Sequence, residues 1–227
     1  MIDAGSATPS PEDLSVTGRP RPRAASHSRE AHMLDAACAI FAEAGYLAAT
    51  MEAIAARAHS TKPTLYAHFG SKEDLYKHCS ERAAESLARQ LFAANVAAEG
   101  LSLEHQVRAG TLAFFDHAAA HPHEFRLLFG SEASGTVPAA RHRLMTAATD
   151  RIAHLIREFA ASHGQPPWGA SATLCASFIV GLAVEGARCA LGTGSLSPRL
   201  AGEFATSFTV AALRHIDISL AAAVDTG

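Results

Sequence analysis

Residues 45–75 read GYLAATMEAIAARAHSTKPTLYAHFGSKEDL. Three hydroxyl residues punctuate this stretch. Thr50, Thr61 and Ser71 each stand just ahead of a run of helix formers. An N-cap oxygen there accepts from one of the orphan N–H groups of a first helical turn. The spacing predicts a short helix over 51–58, a tight turn at His59-Ser60, and a second short helix over 61–68. After a stop at Gly70, Ser71-Lys72-Glu73-Asp74 opens a longer helix with a capping-box-like start. Ile54, Leu65, Phe69 and Leu75 form the local core, and the small Ala55 and Ala58 let the two short helices cross closely. Upstream, Leu34, Ala37, Cys38 and Phe41 recur at i, i+3, i+4 and i+7, one apolar stripe over a helix from 28 to 44. Gly45 then offers a backbone that tolerates left-handed geometry. Two short helices joined by a turn behind a supporting helix make a helix-turn-helix.

The same punctuation continues outward. Helical segments are expected over 72–98, 102–120, 122–130, 138–163, 167–192 and 198–222, separated by Gly100, Pro122, 130–138, 164–169 and 192–198. No internal repeat and no strand alternation is present, so the fold class is all-α. Three regions follow: an arm at 1–27, the helix-turn-helix at 28–77 and a helical body at 78–227. The arm is rich in Pro, Ser, Gly and Arg without apolar periodicity, and is expected to be flexible. It ends in Gly18-Arg19-Pro20-Arg21-Pro22-Arg23, a proline-stiffened basic strand suited to a narrow minor groove.

The chain is 227 residues long with a formal net charge of −3, and 48% of it is apolar. Residues 18–82 nevertheless carry nine Lys/Arg against seven Asp/Glu, while 83–227 carry ten against twelve. All three lysines, Lys62, Lys72 and Lys77, lie within sixteen residues. This is a local basic patch on a mildly acidic body. Four dispersed cysteines without a CxxC pair point to buried reduced thiols. No apolar leader follows Met1. The most apolar stretch, 172–184, falls short of the ~18–20 residues that span a bilayer and reads as a core helix. A cytoplasmic protein is expected. No phosphate loop, dinucleotide fingerprint, HExxH or nucleophile elbow is present, so no enzymatic role and no cofactor is expected. His121-Pro122-His123 is the only close histidine pair and a helix break divides it, so no metal site is expected.

The run from Gly45 and Tyr46 through Thr50-Met51-Glu52-Ala53-Ile54-Ala55, Ala58, Lys62-Pro63-Thr64-Leu65-Tyr66-Ala67-His68-Phe69 and Ser71-Lys72-Glu73-Asp74-Leu75 closely resembles the N-terminal domain of the tetracycline-repressor (TetR) family. The resemblance covers about fifty residues without a gap. It implies a regulator that binds a palindromic double-stranded DNA operator as a homodimer and responds to a small-molecule effector. It implies a recognition helix beginning at Thr61, with Lys62 and Pro63 at base edges, Thr64, Tyr66 and His68 toward the phosphate backbone, and Thr50 and Lys72 as phosphate anchors. Arg19, Arg21 and Arg23 would add minor-groove contacts. Two departures stand out: His59-Ser60 replaces the usual Gly-Val of the turn, and Pro63 replaces a frequent Gly.

By the same resemblance, the body from about residue 83 should bind the effector and dimerise through its last two helices. Ala172, Ala176, Ala183, Ala187 and Ala190, with Phe178 and Leu182 nearby, form one stripe. Phe204, Phe208, Ala211, Ala212 and Ile216 form another. Either stripe could face a partner or the chain's own core. Phe114, Phe115, His117, Phe125, Phe129, Trp168 and Phe178 concentrate in mid-body and are the candidate pocket residues. Cys175 and Cys189 are expected on buried faces.

Overall fold

The computed structural model describes residues 22–130, 139–165, 167–194 and 196–226. Among these are ten helices and no strand: α1 Pro22–Ala48, α2 Met51–Arg57, α3 Lys62–Phe69, α4 Lys72–Ala97, α5 Leu103–Ala120, α6 Pro122–Phe129, α7 Ala139–Ser162, α8 Ala170–Thr193, α9 Pro198–Arg214 and α10 Ile218–Thr226. The N-caps fall where the hydroxyls stand. Thr50, Thr61 and Ser71 accept from Ala53, Thr64 and Asp74 N–H respectively. Gly45 takes φ 74° and kinks α1, so the final turn at 45–48 leaves in a new direction.

Three boundaries differ from expectation. The first helix starts at Pro22, not Ser28, so residues 22–27 are helical and not part of a flexible arm. Proline is no obstacle at a helix's first position, because the N–H it lacks would be unpaired anyway. The expected helix over 198–222 is two helices, α9 and α10, bent by 79°. Asp217 causes the break: its Oδ1 accepts from the N–H groups of Ser219 at 2.9 Å and Leu220 at 3.3 Å, and from the Ser219 hydroxyl. Finally, the apolar run in α8 extends over Ala170–Gly192, long and apolar enough to cross a membrane by length and composition. The expectation of a short core segment counted only its most apolar part.

α4 joins the two parts of the molecule. Its N-terminal half buries Leu75, Cys79, Ala83 and Leu87 in a core that also holds Met33, Ala37, Phe41, Ile54, Leu65 and Phe69 of the helix-turn-helix. That core runs on without interruption into the body through Phe114, Phe115, Phe125, Leu128 and Phe129. Arg82 of α4 donates to Asp35 of α1 at 2.7 Å. A second, distal core gathers Ala153, Ile156, Ala160, Trp168, Ala172, Ala176 and Ala221. Asp225 of α10 closes it, accepting from Gly169 N–H at 2.9 Å, Ser171 N–H at 2.7 Å and the Ser171 hydroxyl. A carboxylate at the positive end of α8 suits the helix dipole, and the hydrogen bonds from Ser171 and Gly169 hold it below the usual Asp range.

The two stripes left open by sequence divide as follows. Ala172, Ala176, Ala187 and Ala190 are buried in the chain's own core. Facing outward are Leu174 and Phe178 of α8 and Leu200, Phe204 and Phe208 of α9, with Phe178 at 65% and Phe204 at 75% exposure. Close approach of α5, α8 and α9 depends on two glycines around the fully buried Phe115. A Cβ on Gly202 would meet the Phe115 Cβ and Cγ at 3.1 Å, and one on Gly186 would meet its Cζ at 3.2 Å. Gly202→Val should therefore overpack this junction by about 1–3 kcal/mol, lowering the melting temperature by several degrees while leaving α-helical circular dichroism at room temperature intact. An unchanged melting curve would contradict the packing described.

Candidate nucleic-acid interface and body cavity

The helix-turn-helix is built locally. Thr50 Oγ1 accepts the Ala53 N–H at 3.1 Å. Thr61 Oγ1 accepts the Thr64 N–H at 3.3 Å and lies 2.8 Å from the Thr64 hydroxyl. Between them His59 takes φ 47°, the one non-glycine residue in the left-handed region among those described. Histidine tolerates that geometry better than bulkier side chains, at some strain. The turn is closed by the Ser60 N–H to Ala55 C=O at 2.9 Å and the His59 N–H to Ala56 C=O at 3.2 Å. The His59 ring stacks on His32 of α1 with centroids 6.4 Å apart. Gly-Val is thus replaced without loss of the turn.

α3 turns Leu65 and Phe69 into the core and leaves Lys62, Pro63, Tyr66 and His68 exposed, with Thr64 half-buried. Lys62 Nζ donates to the Glu52 carboxylate on α2 and lies 6.0 Å from the Tyr66 ring centroid. This hydrogen bond and the charge of Glu52 raise the Lys62 pKa, and the same bond lowers that of Glu52. The base-edge lysine expected from sequence is therefore already paired. Lys72 Nζ donates to the Leu47 C=O at 3.3 Å and sits 4.7 Å above the Tyr46 ring. It is pinned where α1 ends and α4 begins. Arg19 and Arg21 lie outside the described residues. Arg23 belongs to the first turn of α1, not to an extended strand.

The body encloses a cavity of about 630 Å³ among α4, α5, α6, α7 and α8. Of the seven expected pocket residues, Phe114 and Phe129 line it. Phe115 is buried against the glycines of α8 and α9, and Trp168 belongs to the distal core. Phe178 faces outward from α8. Phe125 borders a smaller cleft, with Phe41, Tyr46, Tyr76, Arg126 and Arg188, between α1 and the body. The walls of the main cavity are chiefly aliphatic, from Leu87, Leu91, Val107, Leu144, Ile152, Ile179 and Val184. Sequence inspection favoured aromatics and passed over these. It also missed Arg151, although its position was legible: Leu144, Ala148, Ile152 and Leu155 form the apolar stripe of α7, and Arg151 interrupts it.

His117 lies beside the cavity, not in its wall, and is 2% exposed. Its Nδ1 is 3.1 Å from Gln90 Oε1, while Gln90 Nε2 donates to the Ala113 C=O at 3.0 Å. The amide oxygen must therefore be the acceptor, and His117 Nδ1–H the donor to it. Its Nε2 is 3.5 Å from Glu124 Oε2 on α6, and the His121 ring lies 4.7 Å away, centroid to centroid. Burial pushes the Glu124 carboxyl up. Its polar contact with His117 and the charges of His121 and His117 more than offset this, so it titrates below the usual range. Among the described residues no group of three His, Cys, Asp or Glu is placed to hold a metal ion. Burial raises the Cys38 thiol to about 12 and that of Cys79 further. Contrary to expectation, Cys189 is exposed and Cys175 only half-buried.

These features define an all-helical helix-turn-helix protein whose N-terminal module rests on a cavity-bearing bundle. Residues 33–79 match the family described as bacterial regulatory proteins, tetR family. The chain is 34% identical over 133 residues to the HTH-type transcriptional activator FasR of Mycolicibacterium smegmatis. That match spans 56% of this chain and 58% of the activator, little more than half its length. A TetR-like transcriptional regulator from Rhodococcus sp. RHA1 superposes with a TM-score of 0.70 at 26% identity, over 83% of this chain and 97% of that one. The ketosteroid transcriptional regulator KstR2 of Mycobacterium tuberculosis shares the fold, with a TM-score of 0.65 at 19% identity over 81% of this chain and 93% of its own. The helix-turn-helix module, residues 33–79, is thus of the tetR type.

A carboxyl held below its unfolded pKa contributes stability above about pH 4.3, and that stability is lost as pH falls through the folded value. The wild-type melting temperature should thus drop on acidification below about pH 5. Glu124→Gln should flatten that limb. An acid limb identical in the two proteins would mean that the His117–Glu124 contact contributes nothing.

Proposed function

We propose that this chain is a cytoplasmic, non-enzymatic, homodimeric transcriptional regulator that binds a palindromic operator and is released from it by a small-molecule effector. The observation that carries this reading is the continuity of one helix. α4 begins at Lys72, beside the outer face of α3, and ends as a wall of the body cavity. Thr50, Thr61, Lys62, Pro63, Thr64, Tyr66, His68 and Lys72 are the residues we assign to DNA. Lys62 and Pro63 take base edges, and the others take the backbone.

The dimer reading is supported by the outward apolar residues of α8 and α9. Water-exposed phenylalanines at 178, 204 and 208, with Leu174 and Leu200, form a face that a second copy would bury. Two copies joined there would present two recognition helices, which must stand about 34–36 Å apart to read successive major grooves. An effector would act on that spacing by two routes. One is α4. The other is α6, whose Phe129 lines the cavity while Phe125, Leu127 and Leu128 pack in the core shared with α1. A coupling of about 1–3 kcal/mol would change operator affinity roughly 5–150-fold. The activator named among the relatives supports a second reading, in which this chain is a ligand-dependent activator.

The test is selection of bound sequences from a random DNA pool by the purified protein. A recovered palindrome supports the regulator. No motif at low salt from a folded dimer would leave the body alone as the functional part. On a recovered operator, Lys72→Ala should weaken binding broadly and reduce the salt slope by about one, whereas Lys62→Ala should relax base preference. Separately, Phe204→Glu with Phe208→Glu should convert the dimer to a folded monomer in sedimentation; a persisting dimer would place the interface elsewhere.

A further inference from the structure

The cavity is not uniformly apolar. Its charged and amide side chains gather at the end away from the helix-turn-helix: Asn95 on the last turn of α4, Glu99 just past its C-cap, Gln106 on the first turn of α5, and Arg151 on α7, with the Thr111 hydroxyl further along α5. The Gln106 amide is already engaged, donating to the Leu101 C=O at 2.9 Å. Arg151 is half-buried, and among the described residues it has neither an ion pair nor a hydrogen bond. The other half-buried arginines of the body are satisfied: Arg82 pairs with Asp35, and Arg141 donates to the Leu128 C=O. Arg89, Arg126 and Arg199, which share the lack of a partner among the described residues, are exposed to water. Glu99 stands at the same end, but exposed in the turn after α4 and beyond ion-pair reach of Arg151. A guanidinium half withdrawn from water in an aliphatic wall is costly unless an anion meets it.

The shape of the cavity narrows the choice of anion. Leu87 and Val96 both line it and lie nine residues apart on α4, and Glu99 lines it just past the end of that helix. At 1.5 Å rise per residue the helical part alone is about 13 Å, the length of roughly ten extended carbon–carbon bonds, with the Glu99 end beyond it. The wall from Arg151 to the far end is Ile152, Leu144, Leu91 and Leu87, closing on Phe114 and Phe129. Phe92 and Val96 line the cavity yet are 70% and 54% exposed, so an apolar-rimmed mouth opens beside α4.

We propose that the effector is an elongated amphipathic anion, a long aliphatic chain ending in a carboxylate. Its head group is held by Arg151 and its tail reaches Phe114 and Phe129. This rests on the reading of the cavity as the effector site. The tail then ends against α6, the helix that packs on α1, so chain length sets how far the occupied cavity presses toward the helix-turn-helix. A chain too short leaves that end empty. Affinity should climb about fourfold per added methylene until the far end is filled, and the charged head should add tenfold or more over an uncharged one.

The experiment is displacement of a neutral apolar fluorophore, N-phenyl-1-naphthylamine, from the full-length protein at pH 7.5 by submicellar tetradecanoate, octanoate and tetradecan-1-ol. Tetradecanoate should displace it at a concentration at least tenfold below that of tetradecan-1-ol and far below that of octanoate. Arg151→Gln should bring the acid to the level of the alcohol, while leaving the alcohol and the melting temperature unchanged. Arg151→Lys should keep part of the preference. Equal affinity of acid and alcohol for the wild type, which needs no variant, overturns the anionic anchor while the effector cavity stands. So does a preference that survives Arg151→Gln. Failure of the fluorophore and all three chains to bind overturns the cavity reading itself, and this inference with it.

Discussion

The rest of the structure depends on α4 being one unbroken helix that belongs to two cores at once. Its first half must be apolar toward α1, which Leu75, Cys79, Ala83 and Leu87 satisfy. Its second half must leave room, which Ala88, Leu91 and Asn95 do by lining empty space without filling it. A sharp helix kink needs a proline, a Gly/Ser pair, a bulge or an inserted group, and α4 contains neither proline nor glycine. On the proposed reading, a displacement of its distal wall is therefore carried toward Lys72. The core running from Ile54 to Phe129 makes the same demand of α6. Close-packed interiors transmit strain because they have few voids to absorb it. The 630 Å³ cavity is a large compliance next to that path.

The N-terminal module was legible in sequence because its signals are local. An N-cap hydroxyl acts within three residues, and Thr50, Thr61 and Ser71 all sit where the sequence places them. Gly45 likewise takes the positive φ its position demands. The α9–α10 corner was not legible for a related reason. It is made by Asp217 alone, with no glycine or proline to mark it, inside a stretch whose apolar pattern runs on to residue 222. The start of α1 was misread because a proline-rich, arginine-rich composition was weighed against helix, although Pro22 occupies the one helical position where proline costs nothing.

The body was legible as helices but not as a cavity. Which aromatic faces inward depends on partners far away in the chain: Phe115 is enclosed because Gly186 and Gly202 are small, and neither glycine is near it in sequence. Phe178 lies on the same helix as the buried Ala176, yet points the other way. The cavity wall is assembled from five helices, and its aliphatic residues look like ordinary core in isolation. Arg151 was the exception, since a charge at an apolar register of an amphipathic helix is visible without any structure.

The pairing of Lys62 with Glu52 has one further consequence. On the proposed assignment of Lys62 to a base edge, its ammonium must leave Glu52 before it can reach the groove. Both side chains stand in water, so the pair is screened and gives way readily. The exchange of partners then favours a site that offers the ammonium two acceptors over one that offers none, which makes the choice of sequence a matter of competition between acceptors.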